Sequence, residues 1–248
     1  MLTGKTILVV GASSGIGAEA ARVFAEGGAS VMLVARTEEP LAALAKELES
    51  AGHDVACTTG DVSDAAGVAA FVDATVSRFG RLDGAFNAAA MGGGGRLDQV
   101  TEDEFDRIMA VNVKGTWLCL REEVRVMEAQ GSGSIVNVSS IGGLRGSSGM
   151  GAYQATKHAV IGLTRTAAHD FGPLGIRVNV LAPGPTESPM LDELRRTIPG
   201  GVEARIAATP LRKAGTGREV GATAAFLLSD QASHLSGVVL PVDGGFTA

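Results

Sequence analysis

The sequence predicts an α/β fold: a single doubly wound domain whose seven mainly parallel strands form one sheet with helices on both faces. Three observations predict it. Short β-branched runs alternate along the whole chain with longer segments of helical period. A glycine-rich turn stands between the first apolar run and the first helical segment. No linker or shift in composition divides the 248 residues, a length that buries a substantial core in one unit.

Taken in order, Thr6–Val10 reads as the first strand and Gly15–Glu26 as the helix that follows, with apolar residues at three- and four-residue spacing. The pattern repeats: strand Ser30–Val34 and helix Pro40–Ser50, then strand Val55–Thr58 and helix Ala65–Phe79, with Asp64 as its N-cap. Strand Gly84–Asn87 precedes a long helix over Thr101–Met127, capped by Thr101. Strand Ser134–Val138 leads to helix Tyr153–Phe171, which Gly172 and Pro173 stop. Strand Arg177–Leu181, helix Gly217–Leu228 and strand Val238–Val242 complete the series. One stretch breaks the rhythm. Residues 185–213 carry prolines at 185, 189, 199 and 210, while Leu191, Leu194 and Ile198 hint at one short amphipathic helix, so this segment is expected to be a substrate lid.

Composition excludes several function classes. The net charge of −6 comes from interspersed acids and bases without a Lys/Arg stripe, so no nucleic-acid partner is expected. Apolar runs fall short of the ~20 residues of a membrane helix, and the start lacks the features of a secretory signal. Cys57 and Cys119 lie far apart, and His53, His158, His169 and His234 do not cluster, so the expectation is a reduced, cytoplasmic protein without a metal site.

The first glycine motif is Gly11-Ala12-Ser13-Ser14-Gly15-Ile16-Gly17. Its spacing alone is weak: with this many glycines, chance supplies a GxxxGxG roughly 0.7 times. Its place carries the weight. A strand-to-helix turn within an opening βαβ unit presents backbone N–H groups and a helix dipole to a pyrophosphate, which is how a dinucleotide is held. The chain's single tyrosine, Tyr153, stands four residues before Lys157, so the two share a helix face, and Ser140 lies thirteen residues upstream, just past a strand. By composition this trio arises by chance about once in a thousand. Reduction of a ketone by hydride needs an acid to protonate the nascent alkoxide, and the reverse needs a base. A tyrosine whose phenolate is favoured by a nearby ammonium serves both directions, and Ser140 can hold the carbonyl oxygen by a hydrogen bond.

The glycine spacing and the Ser140, Tyr153 and Lys157 set resemble the short-chain dehydrogenase/reductase family, over nearly the whole chain. The resemblance implies a Rossmann-type fold and a nicotinamide-dependent oxidoreductase that interconverts a carbonyl and an alcohol on a small molecule. It makes Asn112, in Val111-Asn112-Val113-Lys114-Gly115, the fourth catalytic residue, supporting a water relay to the lysine. It assigns the cofactor to Gly11, Ser13, Ser14, Gly15, Ile16, Gly17, Asp61, Val62, Asn87, Ala88, Tyr153, Lys157, Pro183, Gly184, Thr186 and Ser188. The ending Val242-Asp243-Gly244-Gly245 also looks familial.

One departure stands out: Asn87-Ala88-Ala89-Ala90 replaces the family's Asn-Asn-Ala-Gly, so a side-chain brace of the central sheet is expected to be lost and a methyl added near the cofactor. Val10 stands where the family has threonine. NADP(H) is expected over NAD(H), which remains usable, because Ala35 replaces the ribose-binding acid and Arg36 can pair with a 2′-phosphate. A homotetramer is expected through 112–127, 153–171 and 235–246. Two other functions stay open: a catalytically silent dinucleotide-binding regulator, and an epimerase or dehydratase using the same Tyr and Lys. Gly142, Leu144, Met150, Met190 and Leu194 are candidate pocket walls that leave the substrate unspecified.

Overall fold

A computed structural model describes residues 1–198 and 200–248; Pro199, one of the four prolines of the expected lid, lies outside the described residues. The seven strands are β1 (Thr6–Val10), β2 (Ser30–Ala35), β3 (Val55–Thr59), β4 (Gly84–Asn87), β5 (Gly133–Val138), β6 (Ile176–Pro183) and β7 (Val239–Val242). They pair in the order β3-β2-β1-β4-β5-β6-β7, and each of the six neighbouring pairs is parallel. The order reverses between β1 and β4, which opens a crevice at the carboxyl ends of the strands.

Both sheet faces are covered, and the period-2 alternation of each strand decides which residue faces which layer. Ile7 and Val9 join the core formed with α1 (Gly15–Glu26), α2 (Glu38–Ser50) and α9 (Gly217–Leu228). Leu8 and Val10 join the opposite core, with α3 (Ala65–Phe79) and α5 (Gly115–Gln130). The N-caps fall where expected: the Asp64 carboxylate accepts from the N–H groups of Ala66 and Gly67, and the Thr101 hydroxyl from that of Glu104.

Two elements differ from the expectation. The stretch Thr101–Met127 is not one regular helix: α4 (Glu102–Met109) passes through a π-helical turn, Ala110–Lys114, into α5. An inserted residue is invisible to an apolar period, because both halves keep their own inward face. The segment 185–213 holds more regular structure than expected, namely α7 (Pro189–Thr197) and α8 (Gly201–Ala208). Arg195 joins them, meeting Glu187, Asp192 and Glu203 at 2.8, 2.9 and 3.1 Å.

Candidate active site

The catalytic candidates converge at the carboxyl end of β5 and the start of α6 (Gly151–Phe171). Ser139 and Ser140 follow β5; the Ser139 hydroxyl donates to the Lys157 carbonyl at 2.8 Å and ties this strand end to α6. The Ser140 Oγ accepts from the Gly142 N–H at 3.0 Å, which leaves its own proton free to point at a substrate oxygen. Tyr153 and Lys157 sit one turn apart on α6, with the Lys157 Nζ 5.5 Å from the centre of the tyrosine ring. That ammonium is 2% exposed and donates to the Val138 carbonyl at 2.9 Å.

The electrostatics follow from enclosure. Burial pulls the Lys157 ammonium down to about 8. Part of Tyr153 is open to the cleft, yet burial pushes its phenol up to about 12, with the Ser140 hydroxyl beside it acting in the opposite direction. At neutral pH the phenol therefore holds its proton and is set to donate it.

Asn112 lies on the π-helical turn and is buried. Its side chain brackets Met91, accepting from the Met91 N–H at 2.7 Å and donating to the Met91 carbonyl at 2.9 Å. It also donates to the Thr156 hydroxyl at 3.1 Å, while its backbone carbonyl accepts from Thr116. Asn112 thus clamps the loop after β4 to α6, and its side chain reaches the residue beside Lys157. Nothing about Met91 or Thr156 distinguishes them in the sequence.

The glycine loop has the shape a pyrophosphate requires. Gly11 has φ +90°, and a Cβ there would lie 2.6 Å from the Ala89 nitrogen; at Gly17 a Cβ would lie 2.1 Å from the Gly11 carbonyl oxygen. Ser14 stands at the N-cap of α1 without a side-chain cap, so the first N–H groups of that helix are available to an anion. Gly15 faces Ser188, with a Cβ there 3.2 Å from that of Ser188, so the loop and the start of the 185–213 segment form opposite walls. Ile16 is half-buried at the first turn of α1, and Ser13 lies within the loop. This donor set and cradle fit a dinucleotide.

The other assigned residues stand at or beyond the carboxyl ends of β2, β3 and β6. Arg36 is exposed just past β2. The Asp61 carboxylate accepts from the N–H and hydroxyl of Ser63 at 2.8 and 2.7 Å; with the charge of Arg36 nearby, these bonds hold it below its ordinary range. Val62 is buried against Gly115. Pro183 ends β6, and Gly184 bonds back to Val242. The Thr186 hydroxyl donates to the Gly184 carbonyl at 3.0 Å, and Ser188 caps α7.

Asn87 is 5% exposed, and its amide donates to Glu123 at 3.1 Å and Asn137 at 3.0 Å. The same bonds show that the first Asn of the motif braces β4 to β5, and replacement of the second by Ala88 leaves that brace intact. Of the candidate pocket walls, Met150 and Gly142 are buried, Met190 packs beside Gly92, and Leu144 is 38% exposed.

The family model described as enoyl-(acyl carrier protein) reductase matches residues 11–247. Levodione reductase of Leifsonia aquatica is 41% identical over 255 residues, covering 99% of this chain and 95% of that protein. The A-factor type gamma-butyrolactone 1'-reductase (1S-forming) of Streptomyces virginiae is 43% identical over 249 residues, covering 100% and 97%. Among solved structures, the 3-ketoacyl-(acyl-carrier-protein) reductase of Brucella melitensis complexed with NADH superposes with a TM-score of 0.93 at 34% identity, covering all of both chains. With the glycine cradle and the Ser140, Tyr153 and Lys157 geometry already in place, these matches establish that the chain belongs to the short-chain dehydrogenase/reductase family of oxidoreductases.

Proposed function

We propose that this protein reduces an apolar ketone to a secondary alcohol with NADP(H) as the preferred cofactor, and that NAD(H) can replace it. The observation that carries the reading is the convergence of two hydroxyl groups, Ser140 and Tyr153, beside a buried ammonium at the mouth of the crevice. When bound, the nicotinamide supplies the hydride. Ser140 holds the substrate oxygen. Tyr153 donates its proton to that oxygen as charge develops, and Lys157 stabilises the phenolate left behind.

Two hydroxyl donors suit an oxygen that becomes an alcohol, which favours C=O over C=C reduction despite the family model's description. The proposed substrate wall is apolar where Met150 and Met190 border the side-chain-free run Gly92–Gly94. The names of both curated relatives are consistent with this reading. The cofactor is assigned to the Gly11–Gly17 loop, Arg36, Asp61, Val62, Ala88, Pro183, Gly184, Thr186 and Ser188, with 185–213 as the lid. A reduced compartment such as the cytoplasm suits its two free cysteines.

The test is an assay of purified protein for NADPH oxidation with a panel of cyclic ketones and an enoyl thioester. Ketone-dependent oxidation is expected, and Tyr153→Phe should lower kcat by about a hundredfold or more while cofactor Kd stays within about twofold. Full turnover in that variant, or activity on the enoyl thioester alone, would overturn the mechanism.

A further inference from the structure

The most deeply buried charge-bearing group that this mechanism leaves unused is Glu123 of α5, which is 0% exposed. No Lys or Arg pairs with it among the described residues. Its Oε2 accepts from the Asn87 amide at 3.1 Å. The same amide donates to Asn137 Oδ1 at 3.0 Å, the Asn137 amide donates to the Thr164 hydroxyl at 3.0 Å, and that hydroxyl donates to the Val160 carbonyl at 2.8 Å. A buried chain of side chains therefore crosses the molecule from α5 through β4 and β5 to α6. Two acceptors on it, Glu123 Oε1 and Asn87 Oδ1, have no hydrogen-bond partner among the described residues.

We propose that Glu123 is a positioning residue for catalysis: it anchors the chain Glu123–Asn87–Asn137–Thr164, which sets the spacing between the strand end bearing Ser140 and the helix face bearing Tyr153 and Lys157. The placement supports this. Asn137 stands three residues before Ser140, Thr164 lies two turns beyond Lys157 on the same helix, and Asn87 leads directly to Ala88 and Ala89, which abut Gly11. A loosened link would shift those groups relative to one another, and proton transfer is sensitive to displacements of that size.

The surroundings explain why the carboxyl is uncharged. It meets the Asn87 amide from β4, through which Asn137 of β5 and Thr164 of α6 are linked, and on its own helix lies the buried Cys119 thiol, whose pKa the Glu123 charge would raise further. The Arg125–Asp73 pair that joins α5 to α3 lies out on the surface, and the Lys157 ammonium is engaged by Val138. Burial without a cation pushes the Glu123 carboxyl up to about 8, against the smaller opposite effect of the Asn87 bond. A proton also gives one of the carboxyl oxygens a donor in a place where acceptors go unpaired.

The proposal rests on the reading of the active site above, and its experiment has one arm that needs no substrate. A group whose pKa is raised on folding stabilises the fold fully below its unfolded value and loses that contribution as pH rises towards about 8. Lys157, lowered from 10.5 to about 8, acts in the opposite sense and only above that range. The difference between wild type and Glu123→Gln in melting from pH 5 to 8 therefore isolates Glu123. Wild-type Tm should fall relative to that of Glu123→Gln across that window, and at pH 8 the variant should melt about 4 °C or more above wild type.

In the activity arm, Glu123→Gln, which keeps the shape and stays neutral, should retain kcat at pH 7 within about twofold. Its alkaline loss should be shallower than that of wild type, where both Lys157 and Glu123 titrate. Glu123→Leu, which abandons the Asn87 amide, should lower kcat by about tenfold or more with cofactor Kd little changed. If that variant does not fold, Thr164→Val breaks the far end of the chain and should lower kcat by about threefold or more. Parallel melting curves for wild type and Glu123→Gln, a tenfold loss of kcat in Glu123→Gln at pH 7, or wild-type kcat in both chain-breaking variants would each overturn the proposal. An inactive wild type would overturn the functional reading instead.

Discussion

At the scale of single residues, two side chains set the conditions under which the enzyme works. Lys157 is pulled down to about 8 by burial, so most molecules carry its charge at pH 7 and lose it as pH rises through that value. Since Tyr153 stays protonated to about 12, the decline of ketone reduction expected above pH 8 is carried by Lys157, with the proposed contribution of Glu123, and not by the tyrosine. A pH profile of kcat/KM for reduction should be level from 6 to 7.5 and fall above about 8; a limb that begins only above 10 would contradict the buried ammonium. Arg36 is the residue proposed for the second condition, the choice of cofactor. A charge-assisted contact with a 2′-phosphate contributes about 1.5 to 3 kcal/mol. Arg36→Leu should therefore reduce kcat/KM for NADPH by roughly ten- to a hundredfold and leave the NADH value nearly unchanged. An unaltered NADPH/NADH ratio would remove Arg36 from cofactor recognition.

At the scale of elements, the turn between β1 and α1 shows how backbone geometry and packing combine. Gly11 takes φ +90°, and a Cβ would also press on the Ala89 backbone at 2.6 Å. Gly52 has a similar φ of +86° after α2, with nothing within 4 Å of a Cβ. Both alanine variants incur the strain of a left-handed backbone, about 1 to 2 kcal/mol, but only Gly11→Ala must also separate β1 from the loop after β4. Thermal melting should rank Gly11→Ala well below Gly52→Ala, and titration should show weakened dinucleotide binding in Gly11→Ala alone. Equal Tm values would mean that this close approach is not enforced. The π-helical turn is a second device of this kind: by interrupting α4 and α5 it turns Asn112 towards Met91 and Thr156, so a local irregularity in a helix fixes the loop above the catalytic face.

At the scale of the whole molecule, the outer faces of α5, α6 and β7 remain open. Trp117 is 46% exposed and Leu235 36%, and a hollow of about 340 Å³ lined by Arg165, Ala168, His169, Ser236 and Gly237 lies on the outside of α6, away from the catalytic groups. Self-association through these faces would cover apolar surface that a monomer leaves in water. Sedimentation at micromolar concentration should give a tetramer, and Trp117→Glu should shift it towards smaller species; a wild-type monomer would refute the assembly. Among the described residues no helix is long and apolar enough to cross a membrane.

The sequence by itself determined the sheet, its seven strands and most helix ends, because apolar period, N-caps and glycine turns are local signals read over a few residues. It also singled out the candidate Ser140, Tyr153 and Lys157 set, whose fixed intervals follow from one strand end and one helix face. It could not show the inserted residue of the π-helical turn or the two helices of the 185–213 segment, where prolines and charges obscure the period. Tertiary structure alone decided where Asn87 points and that Glu123 is sealed without a cation. In α5 the Arg121-Glu122-Glu123 run looks like an exposed charged face, yet Glu122 pairs with Arg121 and Arg125 while Glu123 is turned into the core. The partner of Glu123 comes from β4 and is tied in turn to β5 and α6, and contacts among distant segments leave no trace in local composition.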